Sequence, residues 1–251
     1  RLSDEYFEEV LSFRRHLHSN PELSFEEYNT ADFIEAKLKE MGITDFERKA
    51  DTGVTFLIKG SKDNGKTVAM RADIDALPII EANDVSYKSK NEGVMHACGH
   101  DVHTASLLGA VKILNQLKDQ FEGTIKVIFQ PGEEKLPGGA SLLIKEGILE
   151  NPQPARILGQ HVMPLIEAGK VGFRKGMYMA SADEIYFTVK GKGGHAAMPE
   201  NLVDPVLITS HIIVALQQII SRNSSPKIPS VLSFGRVEAL GATNVIPNEV
   251  K

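Results

Sequence analysis

The chain has 251 residues, 42% of them hydrophobic and 24% charged, enough to bury one large core or two smaller ones. A net charge of -5 with no basic stripe argues against nucleic acid and anionic membranes as partners. Cys98 is the only cysteine, which excludes an internal disulfide; with a charged start and no unbroken apolar run of about 18 residues, a cytoplasmic protein is expected.

Two amphipathic helices open the sequence. DEYFEEVLSFRRHLHS places Phe7, Val10, Leu11 and Leu17 near helical spacing, with Ser3 or Asp4 as cap. SFEEYNTADFIEAKLKEMG follows, with Ser24 as cap, Glu27 completing a capping box and Gly42 as the stop. The period then changes. VTFLIKG and KTVAMRADID read as strands, HDVHTASLLGAVKILNQLKDQ as a helix, GTIKVIFQ as a buried strand, GGASLLIKEGIL as a helix and RILGQHV as a short strand. Alternating strands and helices predict an α/β domain over residues 1–180, with a largely parallel sheet and helices on both faces.

Near Ser181 the pattern shifts. EIYFTVKGKG alternates like a half-buried strand, PVLITSHIIVALQQIIS reads as a long helix and PSVLSFGRVEA as another strand, which predicts a smaller α+β module over 181–251. On its helix, Val206, Leu207, Ile208, Ile212, Ile213, Leu216, Ile219 and Ile220 exceed a single stripe. Packing on two sides, or simple burial, is expected.

Ligands of open α/β sheets collect at the carboxyl ends of strands, where RADIDALP, MHACGHDVH, QPGEEKLPGG and His161 fall. Cys98 and His100, two positions apart in a glycine-containing turn, can converge on one cation, and a following helix N-terminus favours a thiolate. Cys98 alone reads as a buried, inert thiol; three histidines within a few residues turn the reading toward metal. Glu133 and Glu134 follow a buried strand. Adjacent side chains of extended backbone point apart, so one carboxylate can hold a metal while the other faces water, although an acidic pair is by itself commonly a solvated loop. Asp73 and Asp75 share one face of a strand end, where a carboxylate can hold a ligand imidazole or serve as a cap or turn residue; for Asp73 the two readings weigh equally. His161 reads as a ligand or as a hydrogen-bonded core histidine. His16 and His18 read as structural, and His195, beside a glycine pair, as a loop residue. The glycines of GKGGH lack the spacing of a phosphate loop.

In this order, RRHLHSNPELSFEE, RADIDALP, MHACGHDVHTASLLGA, FQPGEE, GQHV, VKGKGGHAAMPE and NVIPN resemble the M20 metallopeptidase family. The likeness is to its aminoacylase/carboxypeptidase branch, which includes hippurate hydrolases and auxin-conjugate amidohydrolases. It spans nearly the whole chain. The resemblance implies a catalytic domain with two divalent transition-metal ions and a smaller lid domain that forms a homodimer. It implies Cys98 as bridging ligand with His100, Glu134 and His161, Glu133 as general base, and Asp75 as the aspartate steadying a ligand histidine. Other branches carry histidine where Asp73 stands, so no ligand role passes to Asp73. His195 and Asn244 match lid residues that meet the substrate, His195 from the partner subunit.

The implied reaction is hydrolysis of N-acyl amino acids by metal-activated water. Mixed thiolate, imidazole and carboxylate ligands fit Mn, Zn, Co or Ni better than Mg or Ca, and the resemblance favours Mn or Zn. The family pattern continues past the position of Lys251, with a further histidine ligand and the rest of both domains, so a fragment is expected. Two rival readings are a Cys98 thiol hydrolase and a non-catalytic binding or assembly form of the same fold.

Overall fold

Alternation along one strand organises the first half of the molecule. In the computed structural model, which describes residues 1–251, the chain divides into two units, Arg1–Ala168 and Gly169–Lys251. The first contains α1 (Leu2–Glu5), α2 (Phe7–Ser19), α3 (Tyr28–Glu40), β1 (Phe46–Lys49), β2 (Gly53–Lys59), β3 (Thr67–Asp73), α4 (His100–Gln116), β4 (Thr124–Gln130), α5 (Gly139–Lys145) and β5 (Arg156–Gly159). The five strands form one sheet in the order β1-β2-β4-β3-β5. The β4-β3-β5 half is parallel, while β2 runs antiparallel to β4 and β1 antiparallel to β2.

Strand β4 sits in the middle and sends alternate side chains to opposite faces. Ile125, Val127 and Phe129 join a core with Phe13 and Leu17 of α2, Ile34 and Leu38 of α3, and Leu108 and Val111 of α4. Ile128 faces the other way, against Ala50, Ala69, Leu143 and Ile148. Each fully buried aliphatic side chain of this core contributes about 1.5–3 kcal/mol relative to exposure. Helices therefore cover both faces, as an α/β arrangement requires.

Strands β3 and β4 stop side by side, with Asp73 opposite Gln130. The chain leaves both at the same sheet edge, into residues 74–99 and 131–138. Gly99, at φ +84, turns the first of these loops into α4. A residue with Cβ is strained at that angle, so glycine suits the corner.

Several local expectations are corrected. The first helix is interrupted at Tyr6, its N-cap is Arg1 rather than Ser3 or Asp4, and Phe7 is exposed. No capping box forms on α3: its N-cap is Glu27, and neither Ser24 nor Glu27 caps it through a side chain. Glu22 does that work, its carboxylate accepting from the Asn29 and Thr30 amides at 3.1 and 2.7 Å and from the Thr30 hydroxyl at 2.8 Å.

The second unit contains β6 (Val189–Lys190), β7 (Gly194–His195), α6 (Pro205–Gln218), β8 (Val245–Ile246) and β9 (Glu249–Val250), with β6 paired to β9 and β7 to β8. Asp204 caps α6, accepting from the Val206 and Leu207 amides at 2.8 and 3.2 Å, and Pro205 takes the first helical position. Of EIYFTVKGKG only Val189 and Lys190 enter that ladder, and PSVLSFGRVEA forms no strand. Alternation supplies a strand with a face but not with a neighbour; in the second segment Glu238 exchanges backbone hydrogen bonds with Lys251 at 2.7 and 2.9 Å without a ladder forming. Nor is α6 buried: only Pro205 and Thr209 are, while Leu207 and Val214 are 58% and 72% exposed. By length and composition alone Pro205–Asn223 could cross a membrane, a test that buried helices of soluble proteins also meet.

Candidate metal centre

The loops leaving β3 and β4, the start of α4 and the loop after β5 meet around His100, whose side chain is fully buried. Its Nδ1 lies 2.9 Å from the Asp75 carbonyl oxygen and 3.1 Å from Asp75 Oδ1, so the ring donates there. The other nitrogen, Nε2, is then a free lone pair, buried and without a hydrogen-bond partner. Glu134 Oε1 lies 3.9 Å from it and is likewise buried without a partner. Two orphaned acceptors facing each other in a protein interior are costly unless a cation joins them.

Three sets of side chains share His100: Cys98 with His161, Asp73 with His103, and Glu133 with Glu134, the donor atoms within each set lying inside 4.8 Å. The Cys98 Sγ is 3.3 Å from His161 Nε2. His161 Nδ1 donates to the Val162 carbonyl at 2.8 Å, which leaves Nε2 as the acceptor facing the sulfur. Sulfur, imidazole and carboxylate donors in this arrangement fit a divalent transition metal. Cys98, His100, Glu134 and His161 are thus brought together. Glu133 joins them, so the acidic pair does not splay apart: residues 133 and 134 lie in a bend rather than extended backbone, and both carboxylates reach the His100 side.

Asp75 is the organiser beneath this cluster. Burial works against its charge, but hydrogen bonds from His100, the Glu134 amide and Ser24 outweigh it and hold the carboxyl below its usual range. Oδ2 accepts from the Ser24 hydroxyl at 2.7 Å and from the Glu134 amide at 2.9 Å. Burial likewise opposes charge on His100, and the Asp75 hydrogen bond with the Asp73, Asp75 and Glu134 carboxylates raises its pKa. Glu133 moves the other way from Asp75: burial, then the carboxylates of Asp73 and Glu134, raise it.

The expectation of a thiolate at Cys98 is reversed in the protein alone. Burial and the neighbouring Glu134, Glu133 and Asp73 carboxylates push the thiol up to about 12. Repulsion from carboxylates exceeds any help from the helix end. A bound cation offsets that repulsion; a free nucleophilic thiol would have to work against it.

Sequence reasoning missed the layer under the donors. Ser24 and Glu27, read as helix caps, hold the site instead. Glu27, fully buried, accepts from the Thr52 hydroxyl at 2.6 Å and from the Gly132 amide at 2.8 Å, fixing the turn that presents Glu133 and Glu134. His103, one turn after His100 on α4, also faces the cluster, a placement that the i, i+3 spacing could have revealed. His18, read as structural, is buried between Asp101 Oδ2 at 2.8 Å and Glu81 Oε1 at 3.1 Å. In the second unit, β7 and β8 set His195 opposite Val245, and the Ala196 amide donates to the Asn244 carbonyl at 3.0 Å. The two expected lid residues are thereby neighbours of each other.

Residues 69–242 match the family model described as peptidase family M20/M25/M40. An N-acyl-L-amino acid amidohydrolase of Geobacillus stearothermophilus is 43% identical over the whole chain, which covers 67% of that protein. A hippurate hydrolase of Campylobacter jejuni is 44% identical over 96% of the chain and 62% of its own length. Among solved structures, a dinuclear metal-binding peptidase of the M20 family from Bacillus subtilis superposes with a TM-score of 0.69 at 35% identity, covering 98% of this chain and 63% of that one. The chain spans roughly two thirds of the length of these relatives.

Proposed function

Because the chain belongs to peptidase family M20/M25/M40, we propose that the protein is a metal-dependent amidohydrolase cleaving the amide bond of N-acyl amino acids. One observation carries the reading: the buried, unpartnered Nε2 of His100 stands among the donors of Cys98, His161 and Glu134. Relatives named as N-acyl-L-amino acid amidohydrolase and hippurate hydrolase support the substrate class.

Cys98, His100, Glu134 and His161 would hold two divalent ions, Mn or Zn in preference to Co or Ni. When bound, the ions supply Lewis acidity that polarises the acyl carbonyl and acidifies the attacking water. Glu133 takes the proton. Its carboxylate is exposed enough to meet water, and its raised pKa, from burial and then from Asp73 and Glu134, lets it return that proton to the leaving amine. Asp75 keeps His100 in the tautomer that frees Nε2.

Residues 1–180 would form the catalytic domain and 181–251 part of a lid that joins two copies in a homodimer. The exposed apolar side chains of α6 support that pairing. His195, from the partner subunit, and Asn244 would meet the substrate. A cytoplasmic setting suits an unpaired, metal-binding cysteine.

Hydrolysis of a panel of N-acetyl and N-benzoyl amino acids by the full-length protein, with and without chelator, tests the proposal. Glu133→Gln is expected to lower kcat by about 10²–10⁴-fold with bound metal unchanged. Full turnover in chelator would instead support the Cys98 thiol mechanism, and intact metal without turnover of any substrate would support a non-catalytic binding form.

A further inference from the structure

His161 hangs on a weak support. Strand β5, which delivers it, is an exposed edge strand of four residues, and the residues on either side of His161 in the loop, 160–163, are largely exposed. Yet His161 faces Cys98 at 3.3 Å. What fixes it is its neighbour Val162. The Val162 amide donates to His103 Nε2 at 3.0 Å, and the Val162 carbonyl accepts from His161 Nδ1 at 2.8 Å. Its Cγ2 fills the notch over Gly99, where a Cβ would come within 2.4 Å. Valine 162 is thus clasped to the start of α4 and, through its carbonyl, sets the His161 ring.

The clasp requires one tautomer of His103. A ring whose Nε2 accepts from an amide carries its proton on Nδ1. That nitrogen, fully buried and without a hydrogen-bond partner, faces Asp73 Oδ2 at 3.6 Å. Asp73 is itself held by an ion pair with Arg71. We propose that His103, backed by Asp73, is a positioning residue that clasps Val162 and thereby aims His161 at Cys98. It gives work to Asp73 and His103, which the ligand set leaves unused.

The inference rests on the reading of Cys98 and His161 as metal ligands, and the test separates the two. Cobalt(II) is titrated into the full chain, into His103→Leu and into His103→Gln, following the thiolate-to-cobalt charge-transfer absorption, with total metal measured after desalting. A glutamine carbonyl can still accept from the Val162 amide; leucine fills the space but cannot. The clasp predicts cobalt binding weakened about 10- to 100-fold in His103→Leu, the usual cost of losing an outer-layer partner, and largely rescued in His103→Gln. A purely space-filling role predicts the reverse order, with leucine the better tolerated. Equal affinity and spectra in all three chains, or leucine binding better than glutamine, would overturn the clasp while leaving the ligand set intact. No charge-transfer absorption in the unaltered chain would overturn both.

Discussion

A single aspartate shows how the site is held at the scale of residues. Asp75 accepts from Ser24, the Glu134 amide and His100, and so ties the start of the chain, the β4 loop and α4 to one carboxylate. His96 offers a measurable consequence of burial nearby. It is buried with no partner on either ring nitrogen, and burial lowers its pKa from 6.5 to about 4. The unfolded chain therefore takes up the proton first as pH falls. Stability is untouched above pH 6.5 and is lost between 6.5 and about 4. The full loss amounts to about 3 kcal/mol. His18 acts in the opposite sense: the Asp101 hydrogen bond, against burial and with help from Glu81, raises its pKa. Its contribution is complete at acid pH and fades as pH rises through the folded value. Urea unfolding of the metal-free chain between pH 4 and 7 is expected to show a falling midpoint that flattens in His96→Leu; an unchanged slope would assign the acid loss to other groups. The donors were legible from spacing, because Cys98 and His100 share one turn. Ser24 and Glu27 were not, since a capping box is a local pattern and their partners Asp75, Thr52 and Gly132 lie 51, 25 and 105 residues away.

Among elements, the loop joining α2 to α3 carries a role that its turn-like composition conceals. Phe25, at φ +68, lays its ring against Gly132, where a Cβ would approach the ring to 2.2 Å. Gly132 itself adopts φ +56 as it turns toward Glu133 and Glu134. Gly132→Ala thus meets both a strained backbone and a clash, at a cost of about 1–3 kcal/mol and a displaced acidic pair. A lower thermal midpoint together with weaker metal binding is expected; a lower midpoint with full metal affinity would separate the turn from the site. Strands β2, β3 and β4 and helix α4 were readable because their apolar periods are answered by neighbours within the first unit. In 181–188 and 229–239 the period is as clear, yet no strand forms, although Glu238 exchanges backbone hydrogen bonds with Lys251.

For the whole molecule, the two units differ in how far they satisfy themselves. The first closes a core on both faces of its sheet, whereas the second leaves Leu207, Val214, Tyr186 and Leu240 more than half exposed. The proposed pairing would cover apolar surface of this kind. Sedimentation of the chain is expected to show concentration-dependent association that the double substitution L207D/V214D abolishes; a monomer at all concentrations would contradict the proposed pairing through α6. The α/β class was visible in the sequence, since it follows from the order of periods alone. The exposure of α6 was not, because exposure is a property of the fold and not of the pattern. The central claim remains the cation centre at His100. It is tested most directly by metal content per chain, measured by plasma mass spectrometry after loading with Mn or Zn and desalting, for the chain and for Cys98→Ser. Near-stoichiometric metal that falls sharply in the variant is the predicted result; equal metal in the two, or none in either, would contradict it.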